Sequence, residues 1–492
     1  MESLSGILRP GASIYFVGIK GTGVCALAEL MHCMGMKTAG SDIAEVFYTD
    51  AILKELGVPY YESFDAAHIG GDIDLLVHSA AYSGESNPEI AEALRRSIPV
   101  VSYPEALGLY SAAFDSTGIA GVHGKTTTTA MCGALMQGLK MPAQVLVGSA
   151  VANFGGKSTL ALGKKYFIAE TCEYRKHFLA FRPKRVALTA VESDHQDFFP
   201  TYESIRDAFV EYCRLIPAGG ELIYCADDPG AAEVAGIIAN DGRGVDLIPY
   251  GFSADGDNAV SDYRVSSYRV ENERAFFRIG AFDEELALRV PGRHQALNAA
   301  AAIALASVLL KRESAVWDEA RRLAVKNAFA NFSGSKRRAE IIGEAGGVIF
   351  MDDYGHHPTA IKTTFEGIRN FYPSRRLVVS FMSHTFTRTA ALLDEFAVSL
   401  AAADVLFLHK IYASARERFN GNISGKSIFE KIESLSANTK NADVYYIDEP
   451  MDAFEPLREI LKPGDLFLTL GAGNNWPLGV ELYRHFYGLD RG

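Results

Sequence analysis

The chain has little of several features that would place it in a special class. Its 492 residues include six cysteines, none of them in a Cys-x-x-Cys pair, so we expect reduced thiols instead of a disulfide framework. Lysine and arginine (48) are outnumbered by aspartate and glutamate (60), and the net charge of −12 offers no basic face to nucleic acid. No internal repeat or low-complexity tract is apparent. The composition therefore indicates an ordinary globular protein that does not bind nucleic acid.

Hydrophobic runs long enough to cross a membrane are also missing. The longest, residues 297–310, is alanine-rich and too short for a bilayer, so it predicts a buried helix. The start, Met-Glu-Ser-Leu-Ser-Gly, lacks the basic and then apolar pattern of a signal peptide. We therefore expect a cytoplasmic protein without membrane insertion, either a monomer or a homodimer.

One glycine-rich stretch, residues 118–129, organises the rest of the chain. It reads Gly-Ile-Ala-Gly-Val-His-Gly-Lys-Thr-Thr-Thr-Thr, between a strand-like and a helix-like segment. Such a loop points backbone N–H groups at phosphate oxygens, its lysine reaches the terminal phosphates, and the next hydroxyl can bind Mg²⁺. The spacing departs from the full Walker pattern, because Ile119 stands where the first glycine belongs. A structural turn with a chance lysine is the alternative to a nucleotide-phosphate site at Gly121, His123, Gly124, Lys125, Thr126 and Thr127.

A second glycine turn follows the strand-like run at residues 13–17. Its G-x-x-G-x-G spacing differs from the G-x-G-x-x-G of dinucleotide-binding turns, so a nicotinamide cofactor is only weakly supported. An acid after the second strand can bind ribose hydroxyls, which favours a ribonucleotide with its diphosphate on the glycines. For Asp42, helix capping explains the sequence almost as well. The residues of this predicted site are Gly18, Gly21, Thr22, Gly23, Ser41, Asp42, Ser79 and Ala80.

Acids and a histidine follow two strands of the segment that carries the phosphate loop. Glu170 and Glu173 come after one strand, and His195 comes after the next. A carboxylate and an imidazole at this edge can bind a second Mg²⁺, although that ion prefers oxygen ligands and water. Taken singly, the acids are equally well explained as solvated loop residues and the histidine as a hydrogen-bonded polar residue.

The second half of the chain adds further polar groups. His294 and Asn298 fall on the first turn of the alanine-rich helix, where they can contact a purine or a phosphate or simply cap the helix. A basic loop that includes Arg337 can reach back toward a bound nucleotide, although charge runs are usually solvated. Two later strand ends carry Asp-Asp-Tyr-Gly-His-His-Pro (352–358) and Ser-His-Thr-Phe-Thr-Arg (383–388). The adjacent histidines lack the helical spacing of a zinc site.

Length and the alternation of strands with helices predict an α/β protein of three domains. We expect a Rossmann-like N-terminal domain (1–110), a central P-loop domain with a parallel sheet (111–332) and a C-terminal Rossmann-like domain (333–492).

Taken together, these motifs resemble those of the Mur ligases, and within that family those of the alanine-adding group. The resemblance covers nearly the whole chain and rests on residues 17–23 with 40–42, 121–129, 191–195, 291–298, 337–338, 352–358 and 471–473. The motif at 352–358 is the most specific for the alanine-adding group. The phosphate loop is shared with a wider superfamily that includes folylpolyglutamate synthetases.

The resemblance implies an ATP-dependent amide ligation in peptidoglycan synthesis. The lactyl carboxylate of UDP-N-acetylmuramate would attack the γ-phosphorus of ATP, and the amine of L-alanine would displace phosphate from the acyl phosphate. The resemblance assigns catalysis to Lys125, Glu170, His195 and Arg388, and Mg²⁺ binding to Thr126, Glu170, Glu173 and His195. It adds His294, Asn298 and Arg337 to the ATP site, and it lines the amino-acid pocket with Tyr354, His356, His384 and Arg388.

Three positions depart from the family pattern. Val122 replaces a threonine of the phosphate loop, and the acid segment reads Glu-Thr-Cys-Glu-Tyr-Arg, so Glu170 is only favoured over Glu173 as the metal ligand. Thr385 stands where an arginine is expected, which leaves glycine, serine or a murein tripeptide as alternative acceptors. An oxidoreductase that binds NAD at the N-terminal turn and a non-catalytic nucleotide-sugar sensor are alternatives from other classes.

Overall fold

The computed structural model describes residues 6–196, 198–252, 262–413, 423–436 and 443–489. Three sheets of five, ten and six strands follow one another along the chain. This is the three-domain α/β architecture that the sequence predicts. The boundaries predicted at residues 110 and 332 fall between the sheets and stay predictions.

The N-terminal domain is a wholly parallel sheet of order β3-β2-β1-β4-β5. The strand order reverses beside β1, and open parallel sheets bind ligands beyond the carboxyl ends of such strands. Its strands are β1 (Ser13–Val17), β2 (Lys37–Ser41), β3 (Tyr60–Tyr61), β4 (Leu75–His78) and β5 (Val100–Ser102), and its helices are α1 (Thr22–Cys33), α2 (Thr49–Leu56), α3 (Pro88–Arg95) and α4 (Tyr103–Ala112).

The middle domain has a sheet of order β15-β14-β13-β12-β11-β10-β6-β9-β7-β8. The interior pairs are parallel, whereas β8 and the β13–β15 hairpins are antiparallel, so the sheet is mixed and not parallel throughout. Its strands are β6 (Asp115–Ala120), β7 (Ala143–Val151), β8 (Lys157–Ala161), β9 (Tyr166–Glu170), β10 (Arg185–Leu188), β11 (Glu221–Cys225), β12 (Asp246–Gly251), β13 (Tyr263–Glu271), β14 (Arg274–Ile279) and β15 (Glu285–Leu288). Its helices are α5 (Lys125–Gly138), α6 (Tyr202–Cys213), α7 (Pro229–Asn240), α8 (His294–Arg312) and α9 (Glu319–Ala330).

Helix α8 is the alanine-rich run of the sequence. Among the described residues it alone is long and apolar enough to cross a membrane, but 78% of its most apolar window is buried inside the protein. It packs on α5 and on strands β11 to β13. Small alanines allow this close approach, so α8 belongs to the core of the middle domain.

The C-terminal domain has a six-stranded sheet of order β16-β17-β21-β18-β19-β20. All neighbours are parallel except β16 and β17. Its strands are β16 (Glu340–Ala345), β17 (Val348–Asp353), β18 (Arg376–Phe381), β19 (Val405–Leu408), β20 (Asp443–Tyr446) and β21 (Asp465–Leu470). Its helices are α10 (Pro358–Phe371), α11 (Phe386–Ala391), α12 (Leu393–Leu400), α13 (Gly425–Ser436), α14 (Phe454–Ile460) and α15 (Trp476–Leu489).

Candidate functional site

A cavity of about 510 Å³ lies where the middle and C-terminal domains meet. Both domains contribute the carboxyl ends of parallel strands, which is where α/β proteins bind ligands. The middle domain lines it with the phosphate loop, the segment after β10 and the start of α8. The C-terminal domain lines it with Arg338, Ala339, Asp353, Gly355, His356, Thr359, Ala360, Thr363 and Thr364.

The phosphate loop joins β6 to α5 through two glycines in the left-handed region. Gly121 has φ 135° and Gly124 has φ 83°. A Cβ atom on Gly121 would lie 2.2 Å from the hydroxyl of Thr189, so the chain turns sharply only because no side chain is there. Helix α5 begins at Lys125, and its first three residues line the cavity. The loop therefore has the geometry of an anion site.

Lys125 lines this cavity, and its ammonium group has an acidic partner. Its Nζ lies 2.9 Å from a carboxylate oxygen of Glu173, and the lysine side chain is 13% exposed. Burial alone would lower the pKa of Lys125, but the charge of Glu173 outweighs burial and raises it. Burial alone would raise the pKa of Glu173, but Lys125 and His195 lower it. Both groups are therefore charged at neutral pH.

The four predicted metal ligands form two contacting pairs, of which Thr126 and Glu170 line the cavity. The hydroxyl of Thr126 donates to Glu170 Oε1 at 3.1 Å, and the N–H of Gly148 donates to Glu170 Oε2 at 2.8 Å. His195 Nε2 lies 3.3 Å from Glu173 Oε1. Glu170 is thus paired with the phosphate-loop hydroxyl, whereas Glu173 bridges Lys125 and His195.

An ion pair joins the two domains beside His195. The guanidinium of Arg388 donates to Asp194 Oδ1 at 2.6 Å and 3.2 Å, and the two side chains are 5% and 4% exposed. Burial would raise the pKa of Asp194, but the charge of Arg388 lowers it well below the usual range. The N–H of His195, whose φ is 53°, donates to the same carboxylate at 2.7 Å. Asp194 therefore ties a predicted metal ligand to a predicted acceptor residue.

The four residues of the predicted amino-acid pocket lie together. Arg388 Nη1 is 3.3 Å from His384 Nδ1, and the rings of His384 and His356 are 5.9 Å apart. The rings of His356 and Tyr354 are 5.1 Å apart. Burial, and next the charge of Arg388, lower the pKa of His356 well below its usual value, so this imidazole is neutral. Thr385 begins the short helix α11 from a backbone φ of 69°.

His294 and Asn298 line the cavity from the first turns of α8. Asn298 accepts from the Thr128 hydroxyl at 3.2 Å and donates to Gln295 at 3.1 Å. His294 Nδ1 is buried without a hydrogen-bond partner, and burial together with His123 lowers the pKa of His294 to about 4. A buried ring nitrogen without a partner is the kind of group that a polar ligand can satisfy.

The two arginines of the basic loop point in different directions. Arg337 lies outside the cavity lining and donates to Asp352 at 3.0 Å and to the carbonyl of Gly471 at 2.6 Å. Arg338 lines the cavity. From the sequence, Arg337 was assigned to the ATP site and Arg338 was not selected. The turn between them, with φ 60° at Arg337, is set by the tertiary structure, so the sequence does not indicate which arginine faces the cavity.

The residues of the predicted ribonucleotide site gather at the carboxyl ends of β1, β2 and β4. Gly18 has φ 82°, and a Cβ atom there would lie 2.8 Å from Cβ of Ser79. The carboxylate of Asp42 accepts from the N–H of Lys20 at 2.7 Å and from that of Ile43 at 2.8 Å. The Ser41 hydroxyl donates to buried Glu89. Asp42 thus closes the turn, and the Ser41 side chain is engaged inside the domain.

A smaller cavity of about 170 Å³ lies between the N-terminal and middle domains. Gly23 and Tyr103 line it from the first domain, and Glu170 and Cys172 line it from the second. Because Glu170 also lines the larger cavity, one carboxylate faces both spaces.

Family models match most of the chain. The model described as Mur ligase family, catalytic domain, matches residues 13–115, the Mur ligase middle domain matches residues 119–306, and the Mur ligase glutamate ligase domain matches residues 337–473. A UDP-N-acetylmuramate–L-alanine ligase of Treponema pallidum is 48% identical over 97% of both chains. The protein belongs to the Mur ligase family.

Other relatives agree with this assignment. A UDP-N-acetylmuramate–L-alanine ligase of Borreliella afzelii is 40% identical over 95% of this chain and 97% of its own. The crystal structure of the UDP-N-acetylmuramate–alanine ligase MurC of Thermotoga maritima has the same fold, with a TM-score of 0.73 and 23% identity. It covers 97% of this Mur ligase and 99% of the Thermotoga chain.

Two acids of the Mur ligase site escaped prediction although their motif was recognised. Glu192 and Asp194 stand in the Val-Glu-Ser-Asp-His stretch, from which only His195 was selected. Each contacts the C-terminal domain, Glu192 through Thr359 at 3.3 Å and Asp194 through Arg388. The sequence feature that could have indicated them is the presence of two acids and a histidine within one five-residue segment after a strand.

Proposed function

We propose that this Mur ligase joins L-alanine to the lactyl carboxylate of UDP-N-acetylmuramate with consumption of ATP, in the synthesis of peptidoglycan. The observation that carries the proposal is the connection of Lys125 in the phosphate loop to Arg388 of the C-terminal domain through Glu173, His195 and Asp194. A phosphate-binding cation and a carboxylate-binding cation are the two groups that such a ligation needs. The named activity of the 48% identical relative supports the same reaction.

ATP is proposed to bind with its phosphates on the phosphate loop and its adenosine toward α8. In the structure Lys125 is neutralised by Glu173, so an incoming γ-phosphate competes with this carboxylate for the ammonium group. Backbone N–H groups at the start of α5 then stabilise the β- and γ-phosphates. His294 has a buried nitrogen for the base, and Arg338 supplies a cation from the C-terminal domain.

The residues present fit Mg²⁺. Thr126 and Glu170 offer two oxygen atoms within 3.1 Å of each other, and His195 and Glu173 offer a second pair. Mg²⁺ at these groups would neutralise phosphate charge while a carboxylate approaches. Glu170 lines both cavities and would be one of the residues that hold the metal.

UDP-N-acetylmuramate is proposed to lie on the N-terminal domain, with the diphosphate on the Gly18–Gly23 turn. The smaller cavity then leads its lactyl group past Gly23 and Tyr103 toward Glu170. The carboxylate attacks the γ-phosphorus, ADP leaves, and the acyl phosphate remains between the two domains. Burial of this space limits attack by water on that intermediate.

The acceptor amino acid is proposed to bind beside Arg388. Its carboxylate pairs with the guanidinium, which Asp194 and His384 hold in place. His356 and Tyr354 form the remaining wall, and the neutral imidazole of His356 can accept a proton from the attacking amine. We expect the enzyme to act in the cytoplasm as a monomer or a homodimer.

The test is phosphate release from Mg-ATP in the presence of UDP-N-acetylmuramate and one acceptor at a time. We expect release with L-alanine and much less with glycine, L-serine or the murein tripeptide. Lys125→Ala should abolish it, because no other cation of the described phosphate loop reaches the cavity. Lys184→Ala, outside both cavity linings, is the matched control and should retain full activity.

Each other outcome changes the proposal in a defined way. Phosphate release with only glycine, L-serine or the tripeptide would keep the assignment as a ligase and change the identity of the acceptor. Thr385, in place of the expected arginine, would then explain the different acceptor. Binding of the UDP-sugar without release for any acceptor would favour a sensor. Release independent of the UDP-sugar would contradict the ligase.

A further inference from the structure

Outside the proposed Mg²⁺ ligands, one more group of metal-binding side chains lies at the domain junction. It consists of His123 in the phosphate loop, Glu192 after β10 and His357 at the N-terminus of α10. Their nearest ligand atoms all lie within 4.8 Å of one another. Two come from the middle domain and one from the C-terminal domain. We call these three residues the His-Glu-His cluster.

We propose that the His-Glu-His cluster is a binding site for a transition-metal ion of the zinc class, and that the bound ion fastens the phosphate loop to the C-terminal domain. Two imidazoles and one carboxylate are a donor set that Zn²⁺ binds with a fourth position left for water. Mg²⁺ prefers oxygen ligands, so the cluster and the proposed Mg²⁺ ligands differ in the metal that they select.

The first support is the environment of His123. Its Nε2 is buried and is in direct contact with Glu192 Oε1. An imidazole and a carboxylate in such contact share a proton, and a metal ion that binds both groups displaces that proton.

The second support is the arrangement of the three side chains across the domain boundary. The rings of His123 and His357 are 5.5 Å apart. The second carboxylate oxygen of Glu192 accepts from the hydroxyl of Thr359, two residues after His357, at 3.3 Å. Contacts from both domains therefore hold the carboxylate close to the two rings.

The role of His357 as the N-cap of α10 limits the affinity of the cluster for Zn²⁺. Nδ1 of His357 accepts a hydrogen bond of 3.3 Å from the N–H of Thr359. Zn²⁺ at Nε2 would place the ring proton on Nδ1 and break this long bond. We therefore expect a reversible site, weaker than a dedicated structural zinc site, whose occupancy follows the supply of free metal.

A Zn²⁺ ion in the His-Glu-His cluster is expected to affect nucleotide binding. This part of the inference rests on the proposed function. His123 lies between Val122 and Gly124, so a metal ion on its ring restrains the loop that must receive phosphates. We expect micromolar Zn²⁺ to raise the KM for ATP. Metal binding itself does not depend on turnover, so the two parts can be tested separately.

The experiment measures Zn²⁺ binding to the full chain without substrates, by equilibrium dialysis and calorimetry, with Mg²⁺ in excess. We expect one Zn²⁺ per chain that Mg²⁺ does not displace. His357→Asn removes a ligand and keeps a good helix N-cap, so the fold is preserved while affinity falls roughly tenfold or more. Glu192→Gln should weaken binding likewise. His485→Asn, on α15 away from the cluster, is the control and should leave affinity unchanged.

Failure of the inference is distinguishable from failure of the proposed function. The metal site would be overturned if the chain bound no Zn²⁺, even if the ligase is active. It would also be overturned if the Zn²⁺ affinities of His357→Asn and Glu192→Gln equalled that of the control His485→Asn. One site lost in both variants would establish it even if no acceptor supports turnover. Several weak sites, unchanged in every variant, would mean adventitious binding to surface histidines and would also overturn it.

Discussion

The middle domain meets its two neighbours through different kinds of surface. Toward the N-terminal domain it presents strands β7 and β8, on which α1 packs. Helix α4 of the N-terminal domain leads directly into β6, and its Gly108 lies against Ala180 of the middle domain. Buried Tyr110 donates to buried Gln144 across this boundary. Toward the C-terminal domain it presents strand-end loops, and the contacts there include Asp194 with Arg388, Glu192 with Thr359 and the ring of His123 with that of His357.

This difference indicates which interface contributes mainly to the stability of this Mur ligase and which contains the groups that react. A continuous hydrophobic cluster crosses each boundary, so apolar burial holds the middle domain to both of its neighbours. At the second interface charged and polar groups also line the interdomain cavity. A change that affects only these polar groups leaves the hydrophobic cluster in place. We therefore expect changes in packing at the first interface to lower stability and changes to the polar groups at the second to lower activity.

The largest effect is expected from Arg388→Ala. The substitution removes the proposed acceptor cation and leaves the carboxylate of Asp194 without its partner. We expect kcat/KM for L-alanine to fall roughly 1000-fold, with little change in melting temperature, because Asp194 can be hydrated when the domains open. Steady-state kinetics and thermal unfolding measure both.

Arg484→Ala is the matched control, because this arginine lies on α15 and its ion pair with Glu481 is exposed. It should change neither quantity. A large fall in melting temperature for Arg388→Ala would show that the second interface also carries stability and would break the comparison.

The next effect is expected at the first interface, from Gly108→Ala. A Cβ atom on Gly108 would lie 2.2 Å from the backbone carbonyl oxygen of Ala180, which cannot move without shifting the chain. We expect the free energy of unfolding to fall by about 2 kcal/mol, as overpacking outweighs the better helix propensity of alanine. Urea unfolding measures it.

Gly236→Ala on α7 is the control, since nothing lies within 4 Å of its added Cβ. That variant should gain roughly 0.5 to 1 kcal/mol. If Gly108→Ala unfolds at the same urea concentration as the parent, the first interface is looser than we infer.

Gly367→Ala makes the corresponding change at the second interface. Its Cβ would lie 2.8 Å from Cα of Gly292, in the loop that leads into α8. We expect the two domains to stay slightly apart, so kcat falls about tenfold while the urea midpoint falls less than in Gly108→Ala. The same Gly236→Ala variant serves as the control. Equal losses of stability in Gly108→Ala and Gly367→Ala would contradict the difference between the interfaces.

The sequence could predict what is encoded locally. The phosphate loop was predictable because its glycines, its lysine and the flanking apolar runs are contiguous, and the three-domain α/β class followed from alternation. The edge strand β16 was missed because Glu340–Ala345 mixes charged, apolar and glycine residues on a half-exposed edge. The pairing of Asp194 with Arg388 joins residues 194 positions apart, and no periodicity reports such a contact.

The last prediction concerns the pH dependence of stability, which we compare for one histidine at the interdomain cavity and one inside the C-terminal domain. His294, at the interdomain cavity, and His409, inside the C-terminal domain, each have a pKa that burial lowers to about 4. A histidine kept neutral in the folded state stabilises it fully above the unfolded pKa, near 6.5, and this contribution is lost as the pH falls toward 4.

Each histidine can add a slope of up to about 1.4 kcal/mol per pH unit between pH 6.5 and pH 4. Opening of the second interface lets His294 take up a proton without global unfolding, whereas His409, which is bonded to Ser380 and to the carbonyl of Ile447, has no such route. We therefore expect His409→Asn to flatten the loss of stability between pH 6.5 and pH 4.5 clearly, and His294→Asn to flatten it only slightly. Urea unfolding at half-unit pH steps measures this, and a larger change for His294→Asn would mean that the cavity stays closed until the whole chain unfolds.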